Sequence, residues 1–212
     1  WLGATLADQG NPAEAEAAYR EALALRRKLL GNEHANVVAS INHLTAVLWD
    51  EGKLAEVEAL LREDLVLVRT PRTNTSVPVS ARLGLALHHL AEVLCERKAL
   101  AEARALAEEA FDLYQQHPDW PAAESQHAVR VFATVLKDLG DFAGLEPLHR
   151  KSAADLRARL PVDESKLAAA LAGLTQTLLA QQKFAEAEPL ARECLTLRER
   201  GLSDDWRTFN TR

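Results

Sequence analysis

Apolar residues recur along this chain at the three-to-four-residue spacing of an amphipathic helix, in pairs of segments separated by short polar breaks. In one pair, Ile41, Leu44 and Leu48 fall on a single face of a first helix, as the helical period requires. Gly52 follows, and a second segment then shows the same spacing. Because glycine supplies the backbone freedom that ends a helix, the pattern predicts two helices, A and B, joined by a tight turn.

About five copies of this hairpin follow one another. An alanine early in helix B marks the register of each copy, at Ala13, Ala55, Ala101, Ala143 and Ala185. Their spacings are 42, 46, 42 and 42 residues, so a regular repeat runs along the chain. Alanine and leucine dominate the apolar residues, and only 5% of all residues are aromatic. This composition favours helices over strands.

A single hairpin of this kind cannot bury its own apolar face, so neighbouring hairpins must stack. The predicted fold class is therefore all-α, an α-solenoid of about five helix-turn-helix repeats that form a right-handed superhelix with helix A on the concave side. We expect one array over residues 1–212. The expected repeats are approximately 1–35, 36–78, 79–124, 125–163 and 164–202, followed by the entry to a further repeat at 203–212.

Three stretches carry a resemblance to a known family: Gly52–Glu58 at a turn, Gly31–Asn36 between repeats, and Ser40–Leu44 at the opening of a helix A. They resemble tetratricopeptide repeats, and more narrowly the long-repeat version found in kinesin light chains and many bacterial signalling proteins. The spacing of 42 residues exceeds the ~34 of the standard repeat and fits that version. The resemblance implies a scaffold or adaptor that binds a partner peptide or helix in the concave groove.

Tetratricopeptide arrays usually hold a partner along the wall made by successive A helices, and the resemblance implies which side chains form that wall here. By register they are Asn42, His43, Trp49, Asp50, His88, Glu92, Glu96, His127, Arg130, Thr134, Lys137 and Gln176. An exposed tryptophan is a plausible hot-spot anchor. We therefore expect a partner segment with an apolar anchor near Trp49 and an acidic group near Arg130 and Lys137. Whether the groove takes an extended peptide, a helix or a small ligand stays open.

Catalytic motifs are missing from the sequence, which has no glycine-rich phosphate loop, zinc-protease motif or nucleophile elbow. No enzymatic activity and no cofactor are therefore predicted. His88, Glu92 and Cys95 do share one helix face, and that spacing could hold a metal ion if His43 or His127 supplied a fourth ligand. The preferred interpretation is a polar stripe that faces the groove, so no metal is predicted.

The net charge and the cysteine content limit which partners and which cellular location are expected. The net charge of −6 argues against a nucleic-acid partner, because such proteins need a cationic surface. No apolar run approaches the ~20 residues of a membrane span, and no secretory signal begins the chain. With two cysteines and no disulfide framework, a cytoplasmic location is expected.

The two ends of the chain suggest that it is part of a longer protein. The chain opens at Trp1 and contains no methionine, and neither end resembles the polar cap that a repeat array needs. We therefore expect both ends to continue in a parent protein. Two alternatives follow: a regulatory or sensor domain of a larger signalling enzyme, such as a bacterial Ser/Thr kinase or transcription regulator, and self-association through the uncapped ends.

Overall fold

The computed structural model describes residues 12–32, 34–70, 79–117, 119–159 and 163–209. Within these ranges nine helices follow one another and no strand occurs. In chain order they are α1 (Pro12–Leu30), α2 (Ala35–Asp50), α3 (Leu54–Arg69), α4 (Val79–Glu96), α5 (Leu100–Gln116), α6 (Ala122–Asp138), α7 (Phe142–Ala158), α8 (Glu164–Ala180) and α9 (Phe184–Phe209). The all-α prediction is confirmed for the described part of the chain. The first eleven residues of the first expected repeat lie outside it.

Helices that are neighbours in sequence pack against each other. Within hairpins, α2 packs on α3, α4 on α5 and α8 on α9. Between successive hairpins, α1 packs on α2, α3 on α4 and α7 on α8. This near-neighbour pattern is typical of stacked helical repeats, in which each unit buries its apolar face against the next.

The chain divides into two compact units, Trp1–Val135 and Leu136–Arg212. In the first unit, Leu61 of α3 and Leu87, Leu90 and Leu94 of α4 are at most 1% exposed. The three leucines of α4 lie at helical spacing on one face of that helix, as the apolar pattern predicts.

In the second unit, Leu167 and Leu171 of α8 pack with Cys194 of α9 and Ala153 of α7. The thiol of Cys194 donates a hydrogen bond to the Ala168 carbonyl at 3.2 Å. Cys194 therefore acts as a small core residue, which is how a buried cysteine commonly behaves.

Small residues at one position early in helix B allow close helix packing. Ala15, Ala103 and Ala187 are at most 2% exposed. Val57 and Leu145 occupy the same register position and are also buried. The position is therefore a core position in every repeat, and alanine is its smallest occupant.

The turns between helix A and helix B share one backbone geometry. Gly52, Lys98, Gly140 and Gln182 all have left-handed φ angles, of +72°, +62°, +71° and +60°. The N–H of the residue after each of them donates to a carbonyl five residues earlier at 2.8–2.9 Å, which is the Schellman closure of a helix. Sequence comparison alone shows only that lysine and glutamine replace glycine, whereas the structure shows that they adopt glycine's conformation.

Helix α9 differs from its expected boundaries. It continues through Gly201 to Phe209, where the sequence predicts a linker and then the entry to a further repeat. A single glycine costs a helix only about 1 kcal/mol, and residues 202–209 contain no proline to stop it. The assignment of residues 203–212 to a further repeat stays a prediction.

Candidate functional site

The first part of the expected wall lies on α2. Asn42, His43 and Asp50 are exposed, and Trp49 is half-buried. The His43 ring stacks on Tyr19 of α1, with ring centroids 5.3 Å apart and an angle of 1° between the ring planes. The polar face of α2 therefore presents a partly exposed indole beside hydrogen-bonding groups that a partner could reach.

Side chains of α4 and α6 meet in a short hydrogen-bonded chain. The Nε2 atom of His127 lies 3.1 Å from Oε2 of Glu92, and Nη2 of Arg130 lies 2.9 Å from Nδ1 of His127. A guanidinium can only donate, so Nδ1 of His127 must accept. The proton of the neutral ring is then on Nε2, where it donates to the Glu92 carboxylate.

The hydrogen bonds from Glu92 through His127 to Arg130 affect the charged groups at both ends. Burial opposes the ionisation of Glu92, but the hydrogen bond from His127 and the nearby charge of Arg130 lower the pKa of the Glu92 carboxyl. Arg130 itself is exposed, and the bond to His127 occupies one of the five N–H donors of a guanidinium. The result is an exposed cation held in place by a half-buried carboxylate and an imidazole.

The prediction that His88 lies on the exposed wall is wrong. His88 is fully buried, and the rings of His89 and His127 lie over it at centroid distances of 4.4 and 4.8 Å. Its register partner on α2, Asn42, is exposed, so register alone indicated exposure. Cys95, which shares the register of Trp49, is buried too. At His88, one of the covering rings is His127 of the neighbouring helix α6.

The remaining wall residues differ in what they can offer. Glu96 and Thr134 are exposed, although the Thr134 hydroxyl already donates to the Arg130 carbonyl at 2.9 Å. Lys137 and Gln176 are exposed side chains of the second unit. The residues that direct contacts bring together are therefore Glu92, His127 and Arg130.

Among the described residues, no three histidine, cysteine, aspartate or glutamate side chains are grouped so that they could hold a metal ion. The set of His88, Glu92 and Cys95 that sequence spacing suggested is therefore not assembled. The same described residues include no helix that is long and apolar enough to cross a membrane.

A buried ion pair was missed at the sequence level. Arg82 of α4 donates to the carboxylate of Asp64 on α3, and both side chains are at most 6% exposed. Arg82 also donates to the Asn32 carbonyl at 2.9 Å. Asp64 occupies the helix B position that holds Ala22 and Ala110 in other repeats. A charge at a position otherwise filled by alanine was the available signal, because it implies a buried partner.

Comparison with known proteins supports the repeat fold. A family model described as tetratricopeptide repeat matches residues 2–36, 84–117 and 167–205. A kinesin light chain with nearly identical TPR-like repeats from Podosopora anserina, and a variant of it, have solved structures that superpose with a TM-score of 0.74 at 19% identity. The match to the variant covers 95% of this chain and 93% of the other. At this identity the likeness shows the fold alone, and it confirms the predicted helical-repeat fold class.

A third structure, BtubC (BKLC) from P. vanneervenii, gives a TM-score of 0.47 at 15% identity, over 89% of this chain and 91% of the other. No curated protein matches the chain.

Proposed function

Because the chain belongs to the tetratricopeptide-repeat family, whose repeats generally mediate protein–protein interaction, we propose that its first unit binds a segment of a partner protein. The binding residues in this proposal are exposed and half-buried side chains of α2, α4 and α6, which we call the candidate face. It comprises Asn42, His43, Trp49, Asp50, Glu92, Glu96, His127, Arg130 and Thr134.

One observation carries the proposal, namely the chain of contacts from Glu92 through His127 to Arg130. An arginine that is already held in place loses less side-chain entropy when a ligand binds. Its free N–H groups suit a carboxylate, which a guanidinium can bind with two parallel hydrogen bonds. The partner segment in this proposal therefore carries an acidic group opposite Arg130.

Trp49 supplies the apolar contact. Its indole is half-buried, so its position is fixed by packing while part of the ring is available. Tryptophan and arginine are among the residues that most often dominate binding energies. The partner segment is therefore expected to place an apolar side chain on Trp49 as well as its acid on Arg130.

The test begins with peptides selected from a random displayed library on the wild-type chain, followed by affinity measurements by titration calorimetry. Arg130→Glu should weaken the selected peptides by at least tenfold, and Trp49→Ala should weaken them by a similar factor. Arg192→Glu is the matched control, because Arg192 is an exposed arginine on α9. It should leave affinity unchanged.

A charge swap makes the test stricter. Replacing the acidic residue of a selected peptide by lysine should abolish binding to the wild type and restore binding to Arg130→Glu. If Arg130→Glu and Trp49→Ala both bind the selected peptides as tightly as the control variant does, the candidate face is not the binding surface.

A further inference from the structure

Three of the seven histidines of the chain form one cluster. His88 and His89 come from α4, and His127 comes from α6. Their ring centroids are 4.4 Å apart for His88 and His89, 4.8 Å for His88 and His127, and 5.9 Å for His89 and His127. Tyr114 of α5 borders His88 at 5.9 Å. The cluster thus forms a direct contact between α4 and α6.

The central ring is poorly satisfied. Both ring nitrogens of His88 are buried and neither makes a hydrogen bond of normal geometry, although the backbone of Gly84 favours the protonated ring. A neutral imidazole has one donor and one acceptor nitrogen, and a backbone carbonyl could satisfy only the donor, so the acceptor nitrogen of His88 is left unsatisfied. A second proton would add a charge at the same buried position, which is far more costly than an unsatisfied neutral group.

The surrounding groups do not provide a counter-charge that offsets this cost. The Oε2 atom of Glu124 lies 3.9 Å from Nε2 of His88, which is too far for a hydrogen bond, and Glu92 is engaged by His127. The titratable and charged groups that face His88 are His89 and Glu92 on its own helix, Tyr114 on α5, and Glu124, His127 and Arg130 on α6.

The balance of these groups favours neutral rings. Burial, followed by the charges that His89 and His127 would carry, lowers the pKa of His88 to about 2. Burial and then His127 lower the pKa of His89 to about 4, although Glu92 opposes this shift. A free histidine titrates near pH 6.5, so His88 and His89 take up protons much less readily in the closed cluster than in an open one.

We propose that the histidine cluster is a proton-sensitive latch: its neutral rings hold α6 against α4, and protonation opens this contact. Opening also separates His127 from Glu92 and so removes the support of Arg130. The latch depends on the contacts of the cluster and does not require the proposed binding function.

The direction of the pH effect follows from the two states. His88 and His89 bind protons more weakly in the closed state, so their contribution to the contact is complete above about pH 6.5. The contribution is lost as the pH falls below that value. For His89 the loss ends near pH 4, whereas for His88 it continues to lower pH.

Hydrogen exchange measured by mass spectrometry on the full chain tests the latch at pH 7.5 and pH 5.0, after correction for intrinsic exchange rates. The opening constant of α4 and α6 should rise about 30-fold at pH 5 for each histidine that stays neutral in the closed state, because that is the ratio of protonated to neutral free imidazole. Helix α9 contains no histidine and is the internal reference. It should show no such rise.

The double variant His88→Leu/His89→Leu removes the titrating groups while keeping side chains of similar size. It should lose the pH response of α4 and α6, whereas His43→Gln, which changes an exposed histidine, should keep it. An unchanged response in the double variant overturns the proposal, and so does full protection of wild-type α4 and α6 at pH 5.

If the double variant does not fold, histidine Cε1 resonances of the wild type decide the question by NMR titration. The latch is supported if two histidine rings stay neutral down to the pH at which the amides of α4 and α6 lose their protection against hydrogen exchange. Cluster rings that all titrate near pH 6.5 while these helices stay protected contradict it.

Discussion

Polar groups on the outer face of the B helices recur from repeat to repeat, whereas polar groups on the buried side of α4 do not. The outer face of the first unit carries a ladder of arginine–glutamate pairs, exposed except for the half-buried Arg27, that links α1 to α3 and α3 to α5: Arg20–Glu56, Arg27–Glu63, Arg62–Glu102 and Arg69–Glu109. In the second unit the same kind of pair links α7 to α9, as Arg150–Glu186 and Arg157–Glu193. Each arginine lies seven or fourteen residues after the marker alanine of its repeat.

The buried side of α4 follows no such repeat. Arg82 pairs there with Asp64, and His88 is fully buried among other aromatic rings. The corresponding residues of α2 are Asn36 and Asn42, both exposed. An exposed pair contributes little and costs little, so it can recur in many repeats. A buried charge has a large desolvation cost and needs a partner of its own.

The largest effect is expected from breaking the buried pair. Arg82→Met should lower the free energy of unfolding by about 3–5 kcal/mol, because it leaves the Asp64 carboxylate buried without a counter-ion. Chemical denaturation at pH 7 measures this. The double variant Asp64→Leu/Arg82→Met should recover most of the loss, since both charges are then absent. If Arg82→Met lowers the free energy of unfolding by less than about 1 kcal/mol, Asp64 is not buried in an interior that excludes water.

A smaller change in the unfolding free energy, of opposite sign, is expected at the left-handed turn residue. This position recurs in the repeats. Lys98→Gly should raise the unfolding free energy by about 0.5–1 kcal/mol, because glycine adopts the positive φ without steric cost. Gly52→Ala should lower it by a similar amount. Thermal unfolding measures both, and Gln182→Gly repeats the first change in the second unit. Destabilisation by both glycine variants would show that side-chain contacts outweigh backbone strain.

The smallest effect is expected in the ladder. Arg62→Ala should cost about 0.5 kcal/mol, although Arg62 makes two hydrogen bonds to Glu102, because exposed pairs are screened by water. The cost should disappear in 1 M salt, whereas the cost of Arg82→Met should persist. A double-mutant cycle with Glu102→Gln isolates the pair. Equal salt sensitivity of the two arginine variants would remove the distinction between the ladder and the interior.

Part of the candidate face was predictable and part was not. The register of helix A correctly indicated that Asn42, Asp50, Glu96 and Arg130 are exposed. It could not indicate that His127 connects Glu92 to Arg130, because that contact joins two helices, α4 and α6, that are separated in sequence by α5. Whether these residues bind a partner stays a proposal.

The sequence by itself determined the helical hairpins, the repeat and the positions of the turns, because these depend on spacing within a few residues of the chain. The recurrence of the ladder's arginines at fixed distances from the marker alanines is also visible in the sequence, whereas their pairing with glutamates of the next B helix is a tertiary contact. Only the tertiary structure decided which polar residues are buried. A residue's own helix sets the direction of its side chain, but its burial depends on what the neighbouring helices place over it. For this reason Asn42 is exposed and His88, at the same register position, is enclosed between α4, α5 and α6.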